Sequence, residues 1–126
     1  MESEKKYRLG KTVLTEDDLN IVIPYKGDTF VLRYPTPVQK SMIENEIARR
    51  LNGYPRSCFS QDHLGTVEAC ATIDTLMVRD KCPLWFDGPW TCLDDNLIAE
   101  LFTGYFQFRD NFRQRLRGDG LEGDSE

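Results

Sequence analysis

Histidine is almost missing: His63 is the only one in 126 residues. A Ser-His-Asp or Cys-His site needs an imidazole base, so there is one place to build it. Ser60 and Asp62 stand beside His63, yet that spacing is the ordinary spacing of a helix N-cap. None of the four cysteines, Cys58, Cys70, Cys82 and Cys92, forms a C-x-x-C pair. No zinc knuckle or redox motif is therefore expected. The thiols are expected to be reduced and mostly buried, acting as small apolar side chains. There is no G-x-G-x-x-G or Walker-type glycine loop, which leaves nucleotide binding unsupported. No apolar run approaches the ~20 residues that cross a bilayer. The segment MESEKKYRLG has no apolar stretch after its charges, unlike a secretory signal. Positive charge is in short supply, 16 Lys and Arg against 21 Asp and Glu for a net charge of -5, which disfavours a general nucleic-acid binder. The acid pairs Asp17-Asp18 and Asp94-Asp95 precede helical patterns and read as caps. The expectation is a cytoplasmic, non-catalytic protein with no cofactor, metal, nucleic acid or membrane to hold.

What the chain does have is apolar patterning. Ile21-Val22-Ile23-Pro24-Tyr25 and Thr29 to Tyr34 are strand-like and flank the turn signal Lys26-Gly27-Asp28, the pattern of a β-hairpin. Pro24 lacks an N–H and points to an edge. Thr36 as N-cap and Pro37 as first residue open a helix whose apolar face is Val38, Met42, Ile43, Ile47, Ala48 and Leu51. Asn52-Gly53 stops it. A second helix, roughly His63 to Arg79, is apolar around most of its circumference and is expected at the centre. A buried Asp74 in it needs an arginine or a capping partner. Both tryptophans lie in the loop Pro83 to Trp90, which either plugs one end of the bundle or projects as a binding knob.

The longest helical pattern runs from Leu93 to Arg117, about 35 Å at helical rise. Asp94 or Asp95 caps it. One apolar row is Leu97, Leu101, Tyr105, Phe108 and Phe112; beside it runs Ile98, Phe102, Phe106 and Leu116. The two rows together are wider than a surface helix needs. Either both are core, or one packs inside while part of the other meets a partner. Gly104, in mid-pattern at about 1 kcal/mol relative to alanine, marks close approach by another helix or a tolerated weak point. Arginines 109, 113, 115 and 117 sit at the negative end of the dipole, and Gly118 stops the helix. The fold class expected is mainly α: an N-terminal β-hairpin followed by a small bundle of three main helices. This makes one domain over 21–117, with a flexible or partly docked arm at 1–20 and a disordered acidic tail at 118–126.

Three stretches resemble one family. GDTFVLRYPTPVQKSMIENEIARRLNG has a strand, a Y-P-x-P lead and an amphipathic helix rich in Glu and Arg. The mid-chain helix ends at KCPLWFDG, an aromatic-proline loop. LDDNLIAELFTGYFQFRDNFRQRL closes with a Y-x-x-F-R-x-x-F-R rhythm. In this it is similar to the small tail assembly chaperones of long-tailed bacteriophages and prophages, over Ile21 to Leu116; the polar arm before Asn20 has no counterpart. The resemblance implies a non-catalytic protein that coats the long helical tape measure protein, leaves as the tail tube polymerises, and is absent from the finished particle. It also implies the tail tube protein as a second partner, and in some members a longer frameshifted form. Residue chemistry fits such a role. A holder of a helical client needs spare apolar surface framed by charge, and self-association along the client is expected. The residues expected to meet a partner are Trp85, Phe86, Trp90, Phe102, Tyr105, Phe106, Phe108 and Phe112. The competing expectations are a structural virion component, such as a head-tail connector or tail completion protein, and a small regulatory or adaptor protein of the bacterial host.

Overall fold

The structure, a computed structural model, describes residues 7–9 and 11–115. The expected helix stop at Gly118 and the acidic tail at 118–126 lie outside the described residues. Among the described residues the chain runs β1 (Tyr7–Leu9), β2 (Thr12–Leu14), β3 (Asn20–Tyr25), β4 (Asp28–Arg33), α1 (Pro37–Arg50), α2 (Gln61–Leu76) and α3 (Asp95–Arg115), with short 3-10 turns between. It is mainly α with small two-stranded sheets, and the hairpin-then-three-helices order is the one expected.

The β3–β4 hairpin turns on two residues, Lys26 at φ 50° and Gly27 at φ 88°. Positive φ at both matches the twist of the flanking strands. Tyr25 faces Asp28, and the register runs back to Asn20 opposite Arg33. Ile21, Ile23, Phe30 and Leu32 point into the core, and Val22 points out, 62% exposed. Val31 breaks the alternation and is buried. The cause is at the outer edge of β4, where the Val78 N–H donates to the Val31 carbonyl at 2.9 Å and Met77 bridges to Leu32. The outer edge of β3 has no such cover among the described residues. Pro24 sits there opposite Thr29, one step from the closing pair, where strand alternation asks for no N–H.

Residues 7–19, expected as an arm, form a second antiparallel hairpin, with Tyr7 opposite Leu14, and a 3-10 turn from Asp17 to Leu19. Leu14 and Leu19 make a small core with Phe112, against which Tyr7, Tyr34 and Phe108 pack. No strand signal stands out in this stretch: the hairpin is short, Val13 stays exposed, and Leu14 is buried because α3 is long enough to bring Phe112 to it.

α1 opens with a full capping box. The Gln39 N–H donates to Thr36 Oγ1 at 3.4 Å and the Thr36 N–H donates to Gln39 Oε1 at 3.1 Å, which satisfies two otherwise orphaned donors. Asn52 and Gly53 at φ 56° and 79° close it. Its buried stripe is narrower than expected. Ile43, Ile47 and Leu51 are buried, but Val38 is 69% and Met42 52% exposed, and Ala48 is exposed. α1 lies at the side of the bundle and packs on α2, so only the i, i+4, i+8 row is covered.

α2 is the central helix. Ser60 caps it, accepting the His63 N–H at 3.1 Å. Val67, Ala69, Cys70, Ala71, Thr72, Ile73 and Leu76 are buried along it. Asp74 is only half-buried, and Arg79 Nη2 lies 2.8 Å from its Oδ1 at the surface.

α3 is capped by Asp94, whose Oδ1 accepts the N–H of Asn96 at 3.1 Å and of Leu97 at 3.2 Å. Its Oδ2 accepts the Tyr25 hydroxyl at 2.9 Å. These donors hold the Asp94 carboxyl below the usual carboxylate range, the Leu97 N–H contributing most. Gly104 does mark a close approach, by β3 and not by another helix. A Cβ there would lie 2.7 Å from Ile23 Cδ1 and 2.9 Å from Ile23 Cγ1. No helix among the described residues is long and apolar enough to cross a membrane.

Candidate functional site

The fold separates the eight aromatic residues expected to meet a partner into three groups. The loop after α2 carries the first. Phe86 is 6% exposed and meets Phe30 edge-on at 5.1 Å, so it plugs the core and offers no face to a partner. Trp85 lies edge-on to Phe30 at 5.9 Å yet stays 59% exposed beside Leu84, which is 99% exposed. The loop is lid and projection at once. Trp90 is half-buried, with the Arg50 guanidinium 3.8 Å above its ring. This cation–π contact between α1 and the loop left no signal in the sequence, because the two residues lie 40 positions apart.

The second group faces the hairpins. Phe112 is buried and Phe108 half-buried, and both lie against Tyr34, at 4.7 Å and 5.9 Å. Phe112 is therefore core, with Leu14 and Leu19, and Phe108 packs half-buried against them. Phe112, like Phe86, is corrected from partner surface to core.

The third group is Phe102, Tyr105 and Phe106. All three are half-buried, and their rings meet: Phe102–Phe106 edge-on at 4.5 Å, Tyr105–Phe106 tilted at 5.4 Å and Phe102–Tyr105 stacked at 6.3 Å. Steps of three and four put them on one side of α3. They line a groove whose floor includes Ile43 and Ile47 of α1 and Thr72 of α2, all three themselves buried. Burial of Tyr105 pushes its phenol up from the ordinary value, desolvation being the largest cause.

The same groove has a cationic end. Tyr34, three residues before α1, stacks on Tyr105 and meets Phe112 at a tilt, which brings the start of α1 beside the end of α3. Lys40, Arg109 and Arg113 line the groove together for that reason. The Arg109 guanidinium lies 4.4 Å above the Phe106 ring, with Nη2 3.6 Å from Asp110 and Nε buried without a hydrogen-bond partner. In the sequence the arginines are only a helix terminus; that Lys40 joins them depends on where Tyr34 packs on α3.

The residues weighed for chemistry sit elsewhere. Ser60 is occupied as a cap, and His63 stacks on Phe59 at 5.0 Å. The four cysteines are free: Cys70 and Cys82 buried, Cys92 half-buried, Cys58 exposed. Desolvation raises the Cys70 and Cys82 thiols above the ordinary value, which suits apolar packing better than nucleophilic use. No family model matches the chain, nor does any curated protein or solved structure.

Proposed function

We propose that this chain is a non-catalytic tail assembly chaperone of a long-tailed bacteriophage or prophage. It holds the tape measure protein in the cytoplasm of the bacterial host through exposed apolar helix surface. The family identity comes from the resemblance over Ile21 to Leu116. The physical support comes from rings that the fold leaves only partly covered. One observation carries the reading: Phe102, Tyr105 and Phe106 form a half-buried cluster of rings along a groove, and Trp85 and Leu84 stand out in solvent as well.

Half-exposed rings give weak, reversible grip, because part of their apolar area is already buried before any partner arrives. Weak grip suits a protein that must leave. Many copies on one long client add avidity without any tight single contact. A tube protein that competes for the same rings then releases the chaperone with no energy source. Charged side chains beside the rings, Lys40, Arg109 and Arg113 among them, keep that surface soluble.

The test is co-expression with the tape measure protein of the same gene cluster. The expected result is that the client becomes soluble and co-purifies, while mass spectrometry finds the chain absent from finished particles. A client that is never retained overturns the reading. Stoichiometric presence in particles would assign the chain instead to the virion structure.

A further inference from the structure

We propose that the groove between α1 and α3 takes an amphipathic helix whose apolar stripe is flanked by carboxylates at one end. The inference rests on the chaperone reading only for the source of that helix; its chemistry comes from the groove.

The accessible apolar lining is the half-buried Phe102–Tyr105–Phe106 cluster, with Ile43 and Ile47 buried beneath it. An extended segment laid across them would leave backbone N–H and C=O groups against rings and aliphatic carbons, unpaired. A helix satisfies its own backbone and presents side chains alone. The groove therefore selects secondary structure before it selects sequence.

Charge then selects orientation and composition. Lys40, Arg109 and Arg113 converge at one end. Among the described residues no carboxylate lies within ion-pair distance of Lys40 or Arg113, and the one beside Arg109 is the mostly exposed Asp110 at 3.6 Å. Glu44 and Glu68 also line the groove, and Glu44 faces Arg56 at 3.7 Å. Arginine carries a planar fork of N–H donors, the geometry that receives a carboxylate. An incoming Glu or Asp would meet three cations at that end, whereas a Lys would meet repulsion. Arg109 Nε, buried and without a partner, is the donor that such a carboxylate would relieve once the side chain shifts toward it.

The experiment uses the full chain and two synthetic helical peptides with the same leucine stripe. One carries glutamates beside the stripe and the other lysines. Binding is read by fluorescence anisotropy. The glutamate peptide is expected to bind about tenfold or more tightly than the lysine peptide at low salt, with the gap closing as salt rises. Arg109→Glu with Arg113→Glu should reverse the preference while the circular dichroism spectrum stays that of the wild type. Phe106→Asp should weaken both peptides. Equal binding of the two peptides, or binding of neither, overturns the inference. The double-charge variant also separates this inference from the chaperone reading. If wild type and variant retain the tape measure protein equally, the groove assignment falls and the chaperone reading stands. If wild type retains no tape measure protein while the peptides behave as described, the reverse holds.

Discussion

Gly104 offers the sharpest test of the packing. In a helix interior alanine is favoured over glycine by about 1 kcal/mol, so on helix propensity alone Gly104→Ala should stabilise the protein. The tertiary contact opposes this. The three atoms nearest a Cβ at 104 all belong to Ile23, at 2.7, 2.9 and 3.9 Å. Ile23 is 7% exposed, β-branched, and fixed by its strand, so it has no solvent-side rotamer to swing into. Overpacking of this kind costs about 1–3 kcal/mol. The expected net effect is a loss of about 1 kcal/mol once the propensity gain is subtracted. Ile23→Ala removes all three atoms at a cost of about 2–5 kcal/mol. In that background Gly104→Ala should keep only its propensity gain and stabilise by about 1 kcal/mol. The coupling between the two substitutions is then about 2 kcal/mol, within the range for residues in direct contact. Urea unfolding followed by tryptophan fluorescence measures all four proteins. If Gly104→Ala stabilises wild type and Ile23→Ala alike, α3 and β3 do not meet here and the reasoning fails.

Four further outcomes follow from the same contacts. Phe112→Ala should cost about 3–5 kcal/mol in a melt, whereas Phe106→Asp should leave the fold intact; similar losses would erase the distinction between the two rows. Val38→Lys and Met42→Lys should stay within about 0.5 kcal/mol of wild type, while Ile47→Ala loses about 2–5 kcal/mol, because the covered stripe of α1 excludes the first pair. Pro24→Val restores a donor on the open edge of β3 and should raise concentration-dependent self-association in sedimentation velocity; no change means that the edge is covered. The Asp94 carboxyl is held below its ordinary value by the Leu97 N–H and the Tyr25 hydroxyl. Its contribution is therefore complete above the ordinary carboxylate range and is lost as pH falls through the depressed value. The Tm gap between wild type and Asp94→Ala should narrow in acid, and a gap independent of pH would refute the cap.

Legibility followed the range of the interactions. Thr36-Pro37, Lys26-Gly27, Asn52-Gly53, Ser60 and Asp94 act on backbone groups within four residues, and each turned or capped where its chemistry asked. The α1 face was read too wide because periodicity counts apolar side chains without knowing how many neighbours come to cover them. The β1–β2 hairpin escaped notice because three-residue strands carry little pattern, and their burial depends on Phe112, some hundred residues away. The candidate site was half visible. The wealth of rings on α3 stood out, but which rings were spare did not.

The amino-acid order by itself fixed the element sequence, the caps and turns, and the excess of aromatic side chains, since these follow from local sterics and hydrogen bonding. Only the tertiary structure decided that Phe86 and Phe112 turn inward while Phe102, Tyr105 and Phe106 line a groove with Lys40 and two arginines. The physical reason is that burial is a property of pairs. A ring becomes core when another element covers it, and the covering residues, Tyr34, Leu14, Leu19 and Phe30, are brought to it only by the folded chain.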